Sequence, residues 1–118
     1  MLDKSAHLDG AGHNKALATS LLGQGEASWA AVLAFYSALH YIDAYLADRG
    51  FRAGDHQRRS HYISTLRDLG PVGDPYRRLE VRAWWVRYEL RVLDKAEVEA
   101  LINKDLQQIE EHVLSLLR

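Results

Sequence analysis

Residues 26–49 read EASWAAVLAFYSALHYIDAYLADR, and the way this stretch folds decides the rest of the chain. Wound at about 3.6 residues per turn, it places Trp29, Val32, Leu33, Tyr36, Leu39 and Leu46 on one side. Ala31, Ala34, Phe35, Ala38, Ile42 and Tyr45 cover most of the other. A helix apolar nearly all round belongs among neighbours on several sides, and only a narrow strip around Ser37, Tyr41 and Asp48 is suited to water. The stretch is expected to be a long central second helix. Two polar residues interrupt its middle, His40 and Asp43, three apart and so on one face, with Tyr36 a turn earlier.

Outward from this helix the pattern stays helical. The chain has 118 residues, of which 47% are hydrophobic, enough for one core, and no alternating run is long enough to form a strand. The class is all-α. Residues 1–12 are polar and hold two glycines, so a flexible lead-in, frayed or loosely helical, is expected, with a single domain over 13–118. A first helix over 13–22, with Ala16, Leu17, Ser20 and Leu21 on one side, is broken by Gly23 and Gly25. The central helix ends at Gly50, the residue type suited to a left-handed C-terminus. Asp55 is placed to cap a third helix over 56–69, whose apolar positions are Tyr62, Ile63, Leu66 and Leu69. Gly70-Pro71-Val72-Gly73 then reads as a stop.

A fourth helix is expected from Asp74-Pro75 through residue 93. Leu79, Ala83, Val86, Leu90 and Leu93 form its core stripe, while Val81, Trp84 and Tyr88 lie nearly opposite, flanked by Arg77, Arg87 and Arg91. Aromatics facing away from the core need a cover. A second copy of the chain is the simplest supplier, giving a homodimer anchored by Val81, Trp84 and Tyr88; the alternative cover is the last helix. Asp94-Lys95-Ala96-Glu97 has capping-box form and opens that last helix, which buries Val98, Leu101, Ile102, Ile109, Val113 and Leu116.

Charge is unevenly spread. Residues 49–91 hold ten arginines, no lysine and five acids, whereas the remainder holds five basic and eleven acidic residues. Arginine without lysine is what planar recognition of phosphate favours, and Arg52, Arg58, Arg59, Arg82 and Arg87 are the candidate contacts. The alternative is that the arginines pair with the acidic flanking helices. Cysteine is absent, which points to a reducing, cytoplasmic compartment. No basic-then-apolar leader opens the sequence, and His40 and Asp43 in the middle of the apolar helix argue against a membrane span.

Six histidines raise the question of a metal. None has a glutamate three positions earlier, and His56 and His61, five apart, fall on different helix faces, so no metal and no cofactor are expected. Tyr36, His40 and Asp43 read as a buried polar network; the alternative is a general base with its orienting carboxylate.

The run Ala34-Phe35-Tyr36-Ser37-Ala38-Leu39-His40-Tyr41-Ile42-Asp43-Ala44-Tyr45-Leu46, then Gly50, then His56, resembles the signature of HEPN domains (higher eukaryotes and prokaryotes nucleotide-binding). Tyr76, Leu79, Arg82, Arg87 and Tyr88 are similar to that family's later helix. The resemblance implies an up-and-down bundle of four to five helices that dimerises, and a link to RNA cleavage, nucleotide binding or partnership with a minimal nucleotidyltransferase in toxin-antitoxin pairs. The family's ribonucleases carry an arginine followed after four to six residues by a histidine. Only Arg49 and His56 have that spacing, and they flank a loop; Arg82 and Arg87, on the expected helix, are followed by no histidine at that spacing. The expectation is a binding module for RNA, a nucleotide or a partner protein, without strong catalysis. Two alternatives stand beside it. One is a metal-independent ribonuclease with His56 or His61 as base and Arg49, Arg52 or Arg58 holding phosphate; the other is a helical interaction protein with no nucleic-acid ligand.

Overall fold

The computed structural model describes residues 2–117, which form an all-α bundle of five helices with no strand among the described residues. Helix α1 spans Lys4–Gly23, α2 Ala27–Asp48, α3 His56–Thr65 and α4 Gly73–Tyr88. Helix α5 begins as Lys95–Ala100, passes through a π-helical segment Leu101–Leu106 and continues as Gln107–Leu116. The long second helix is central, as its composition demands: α1, α4 and α5 all pack on it. By length and hydropathy α2 could cross a bilayer, but 78% of its most apolar window is buried inside the bundle.

The expected flexible lead-in is instead helix. Asp3 caps α1 by accepting from the Ala6 amide at 2.9 Å, so the helix starts well before residue 13. This extra length changes the environment of α2. Of the strip assigned to water only Asp48 is exposed: Ser37 is fully buried and donates to the Ala11 carbonyl of α1 at 2.7 Å, and Tyr41 is buried as well. Alanines make the close approach possible, with Ala11 and Ala18 of α1 and Ala30, Ala34 and Ala38 of α2 fully buried. On α1, Leu17 is exposed, while Trp29 in the first turn of α2 is exposed too.

Both early helices end as their glycines dictate. Gly50 has φ 80, Gly50 N–H donates to Ala47 O at 3.1 Å and Phe51 N–H to Leu46 O at 2.8 Å. That is a Schellman closure, which a left-handed residue permits.

Helix α3 is shorter than expected. Asp55 caps it, accepting from the Arg58 amide at 2.7 Å, but Ser64 and Thr65 both donate their hydroxyls to His61 O and the chain turns extended at Leu66. Such back-bonding competes with the helical ladder. The Gly70-Pro71 segment does not stop the chain: it winds as a 3₁₀ turn, Arg67–Val72, straight into α4.

Helix α4 in turn breaks early. Leu90 takes φ 53, the conformation that Gly25 and Gly50 hold after the first two helices. A leucine in that region carries about 1–2 kcal/mol of strain, and its side chain is 84% exposed, outside the core stripe that Leu79, Ala83, Val86 and Leu93 do form. Asp94 caps α5 on the Glu97 amide at 2.8 Å, while the Glu97 carboxylate accepts from Arg82 at 3.3 Å.

Candidate functional site

The trio on α2 is not one network. Each member reaches a different helix, so the three fix α2 against three neighbours. Tyr36 accepts from Arg87 Nη1 of α4 at 2.8 Å. His40 meets His7 of α1, Nδ1 to Nδ1 at 3.1 Å. Asp43 takes Arg59 of α3 in a two-pronged pair, Nε at 2.7 Å and Nη2 at 2.9 Å, with both side chains nearly buried. Arg59 is therefore no phosphate ligand: its fork is occupied, and although burial works against its charge, the hydrogen bonds and charge of Asp43 and then Tyr76 raise its pKa.

The two imidazoles impose a constraint. At 3.1 Å one Nδ1 must donate and the other accept, so both cannot be protonated without repulsion. Burial first, then the charges of His7 and Arg59, lower the pKa of His40 against the pull of Asp43. A depressed histidine binds fewer protons in the folded than in the unfolded chain, so its contribution to stability is full above the ordinary imidazole value and declines as pH falls through the lower folded value. We expect the unfolding temperature to drop between about pH 8 and about pH 5, and to drop less in His7→Ala, followed by circular dichroism.

The arginine surplus is largely absorbed inside the bundle. Arg78 pairs with Asp105 at 2.8 Å and Arg82 with Glu97 at 3.3 Å, joining α4 to the acidic α5. Arg49 bonds Asp48 and the Leu116 carbonyl and lies 4.9 Å over the Tyr45 ring, drawn toward the end of α5. Arg49 is not among the residues that line the cleft around His56. Arg58 and His61 are exposed and share a shallow depression with Asp55 and Gln57. Arg52 lies at a different cleft of about 400 Å³, whose floor is the satisfied Asp43–Arg59 pair and whose walls include His7, Leu46 and Phe51.

Five residues singled out in the sequence do converge. His56, Val81, Trp84, Arg87 and Tyr88 line a cleft of about 330 Å³ together with Phe35 and Glu80. Phe35 is buried at its base, 6.2 Å from the His56 ring and near-parallel to it at 27°. Trp84 and Tyr88 pack on each other, ring centroids 4.4 Å apart, yet are 52% and 61% exposed. The Arg87 guanidinium sits 5.0 Å from the Tyr88 ring, 5.5 Å from Tyr36 and 5.6 Å from Phe35, a cation held among aromatic faces. Arg87 has no carboxylate partner among the described residues; the Tyr36 hydroxyl and the Ala83 carbonyl hold it.

His56 is also tied to the buried pair: Arg59 Nη1 lies 3.3 Å from His56 Nδ1, and since a guanidinium only donates, Nδ1 is the accepting atom of this contact.

Neither Phe35 nor Glu80 stood out as a site residue. Phe35 was counted with the apolar surface of α2. Glu80 does carry a signal, since Glu80, Trp84 and Arg87 follow helical spacing along one face of α4. Among the described residues no cluster of His, Asp and Glu able to hold a metal is present. No protein-family model and no curated protein matches this chain, and the reading of the cleft rests on its own geometry.

Proposed function

We propose that this chain is a HEPN-like binding module for single-stranded RNA or a nucleotide, acting in the cytoplasm without strong catalysis of its own. The observation that carries the reading is the cleft between α2, α3 and α4, where exposed Trp84 and Tyr88 stand beside His56 and beside Arg87, which has no carboxylate partner among the described residues. Exposed aromatics accept nucleobases by stacking, and a guanidinium among them accepts the phosphate. Arg49, the arginine that the ribonuclease reading pairs with His56, does not line this cleft, and Nδ1 of His56 is engaged by Arg59, which supports binding over cleavage.

The test is binding of labelled single-stranded RNA to purified protein in chelator, followed by anisotropy and by a denaturing gel. Binding that weakens steeply with salt and leaves the RNA intact supports the module. Cleavage lost in His56→Ala would make the protein a ribonuclease. No binding at any salt concentration would send the search to a protein partner such as a nucleotidyltransferase.

A homodimer is the second part of the reading; with Val81, Trp84 and Tyr88 lining the cleft, its support moves from those residues to Leu90 at 84% and Val92 at 90% exposure just beyond α4. Leu90→Asn suits the left-handed backbone and removes the apolar side chain, so it tests the interface without unfolding the bundle. Sedimentation is expected to show a dimer for the parent chain and at least about a tenfold weaker one for the variant, given about 1.5–3 kcal/mol for burying a leucine.

A further inference from the structure

We infer that the cleft selects guanine among the nucleobases, with Glu80 as the residue that reads it; this rests on the nucleotide-binding reading above. Glu80 is half-buried on the rim that this cleft shares with a second depression lined by Ser60, Tyr76 and Arg77, and no hydrogen bond or ion pair engages it among the described residues. Its charge is felt at the buried Tyr76 phenol, whose pKa burial raises first and which Glu80 and Asp43 raise further against Arg59. No buried oxygen is left unsatisfied among the described residues, so the Glu80 carboxylate is open to solvent and can accept from a ligand that enters this otherwise aromatic and cationic cleft.

The spacing sets the ligand's polarity. Glu80 and Arg87 are two turns apart on the same face of α4, about 10 Å along the axis, with Trp84 between them. The cleft thus offers an acceptor at one end, stacking surface in the middle and a guanidinium at the other end. A nucleoside phosphate has the matching order: base edge, ring face, phosphate.

The base edge then decides. An ionised carboxylate only accepts, with two oxygens side by side. Guanine alone presents two adjacent donors on its Watson–Crick edge, N1–H and the 2-amino group. Adenine and cytosine each set a ring-nitrogen acceptor beside their amino group, and uracil flanks its single N–H with two carbonyls, so all three bring lone pairs against Glu80. Sites built to bond a donor discriminate strongly against ligands that lack it.

Calorimetric titration of the full chain with guanosine, inosine and adenosine 5′-monophosphates tests this directly. The expected order is guanosine tightest, inosine intermediate because it keeps N1–H but lacks the amino group, and adenosine weaker than guanosine by at least about tenfold. Glu80→Gln, which keeps size but sets a donor against the guanine donors, brings the guanosine-to-adenosine ratio to about one. Circular dichroism confirms that the variant is folded. A UUGUU oligonucleotide binding more tightly than the free nucleotide assigns the base to RNA, and equal affinity assigns it to the free nucleotide; either supports the inference when UUAUU binds weakly. Equal guanosine and adenosine affinities that Arg87→Ala abolishes would overturn guanine selection and leave the binding module standing. An unchanged ratio in Glu80→Gln overturns it as well. No binding of any nucleotide overturns both.

Discussion

Asp43→Ala is expected to lower the unfolding free energy by about 3–5 kcal/mol, because it leaves the Arg59 guanidinium buried with no counter-charge. The parent pair is bidentate at 2.7 and 2.9 Å, with side-chain exposures of 8% for Arg59 and 11% for Asp43. The loss also reaches the cleft, since Arg59 is the group that turns His56 by bonding its Nδ1. Urea unfolding followed by circular dichroism gives the stability, and the double variant Asp43→Leu with Arg59→Met separates the causes. If the penalty comes from the stranded charge, the double variant recovers most of it, since a buried ion pair replaced by apolar groups of similar volume is close to neutral. A double variant as unstable as Asp43→Ala would instead show that the pair's geometry holds α3 in place.

Arg87→Ala is expected to weaken binding of single-stranded RNA by about ten- to a hundredfold, the worth of about 1.5–3 kcal/mol for a hydrogen bond to a charged group. It should also lower the slope of log affinity against log salt by about one, the signature of one lost phosphate contact. Anisotropy titrations at several salt concentrations measure both. Arg87 also bonds the Tyr36 hydroxyl at 2.8 Å, so its removal frees that phenol, and a structural loss has to be told apart from a lost phosphate contact. Tyr36→Phe makes the distinction: it breaks the same bond but keeps the charge, and should leave the salt slope unchanged. An unchanged slope in Arg87→Ala would move the phosphate contact elsewhere, to the exposed Arg52 or Arg58.

Much of the fold was legible. The all-round apolar pattern of residues 26–49 required a surrounded helix, Gly50 its left-handed end, and Asp55 and Asp94 the caps of the helices that follow. Boundaries were read less well where competition between bonds decides them. Nothing in the polar residues 1–12 announced that Asp3 would start a helix, and Ser64 and Thr65 shortened α3 through hydroxyl bonds that periodicity does not encode. Leu90 fits the α4 stripe by spacing alone, yet the backbone turns left-handed there and sends it into solvent.

The site was legible only as a set of parts. Residue type and helical face single out Arg87, Trp84 and Tyr88, and spacing along the chain pairs His56 with Arg49, but the fold places His56 on the same cleft as Arg87 instead. Likewise Tyr36, His40 and Asp43, adjacent on one face, form no common network, because each finds a better partner on another helix.

By itself, then, the sequence determined the helical class, the central place of α2 and which residue types could carry charge or stacking, since these follow from local periodicity and from burial averaged over a whole face. Only the tertiary structure decided which charges neutralise one another. It drew Arg59 to Asp43 and Arg82 to Glu97, and left Glu80 and Arg87, among the described residues, without ionic partners on the same cleft. The reason is physical: an ion pair or a stacked ring depends on distances of a few ångströms between helices far apart in sequence, and the packing of the whole core sets those distances.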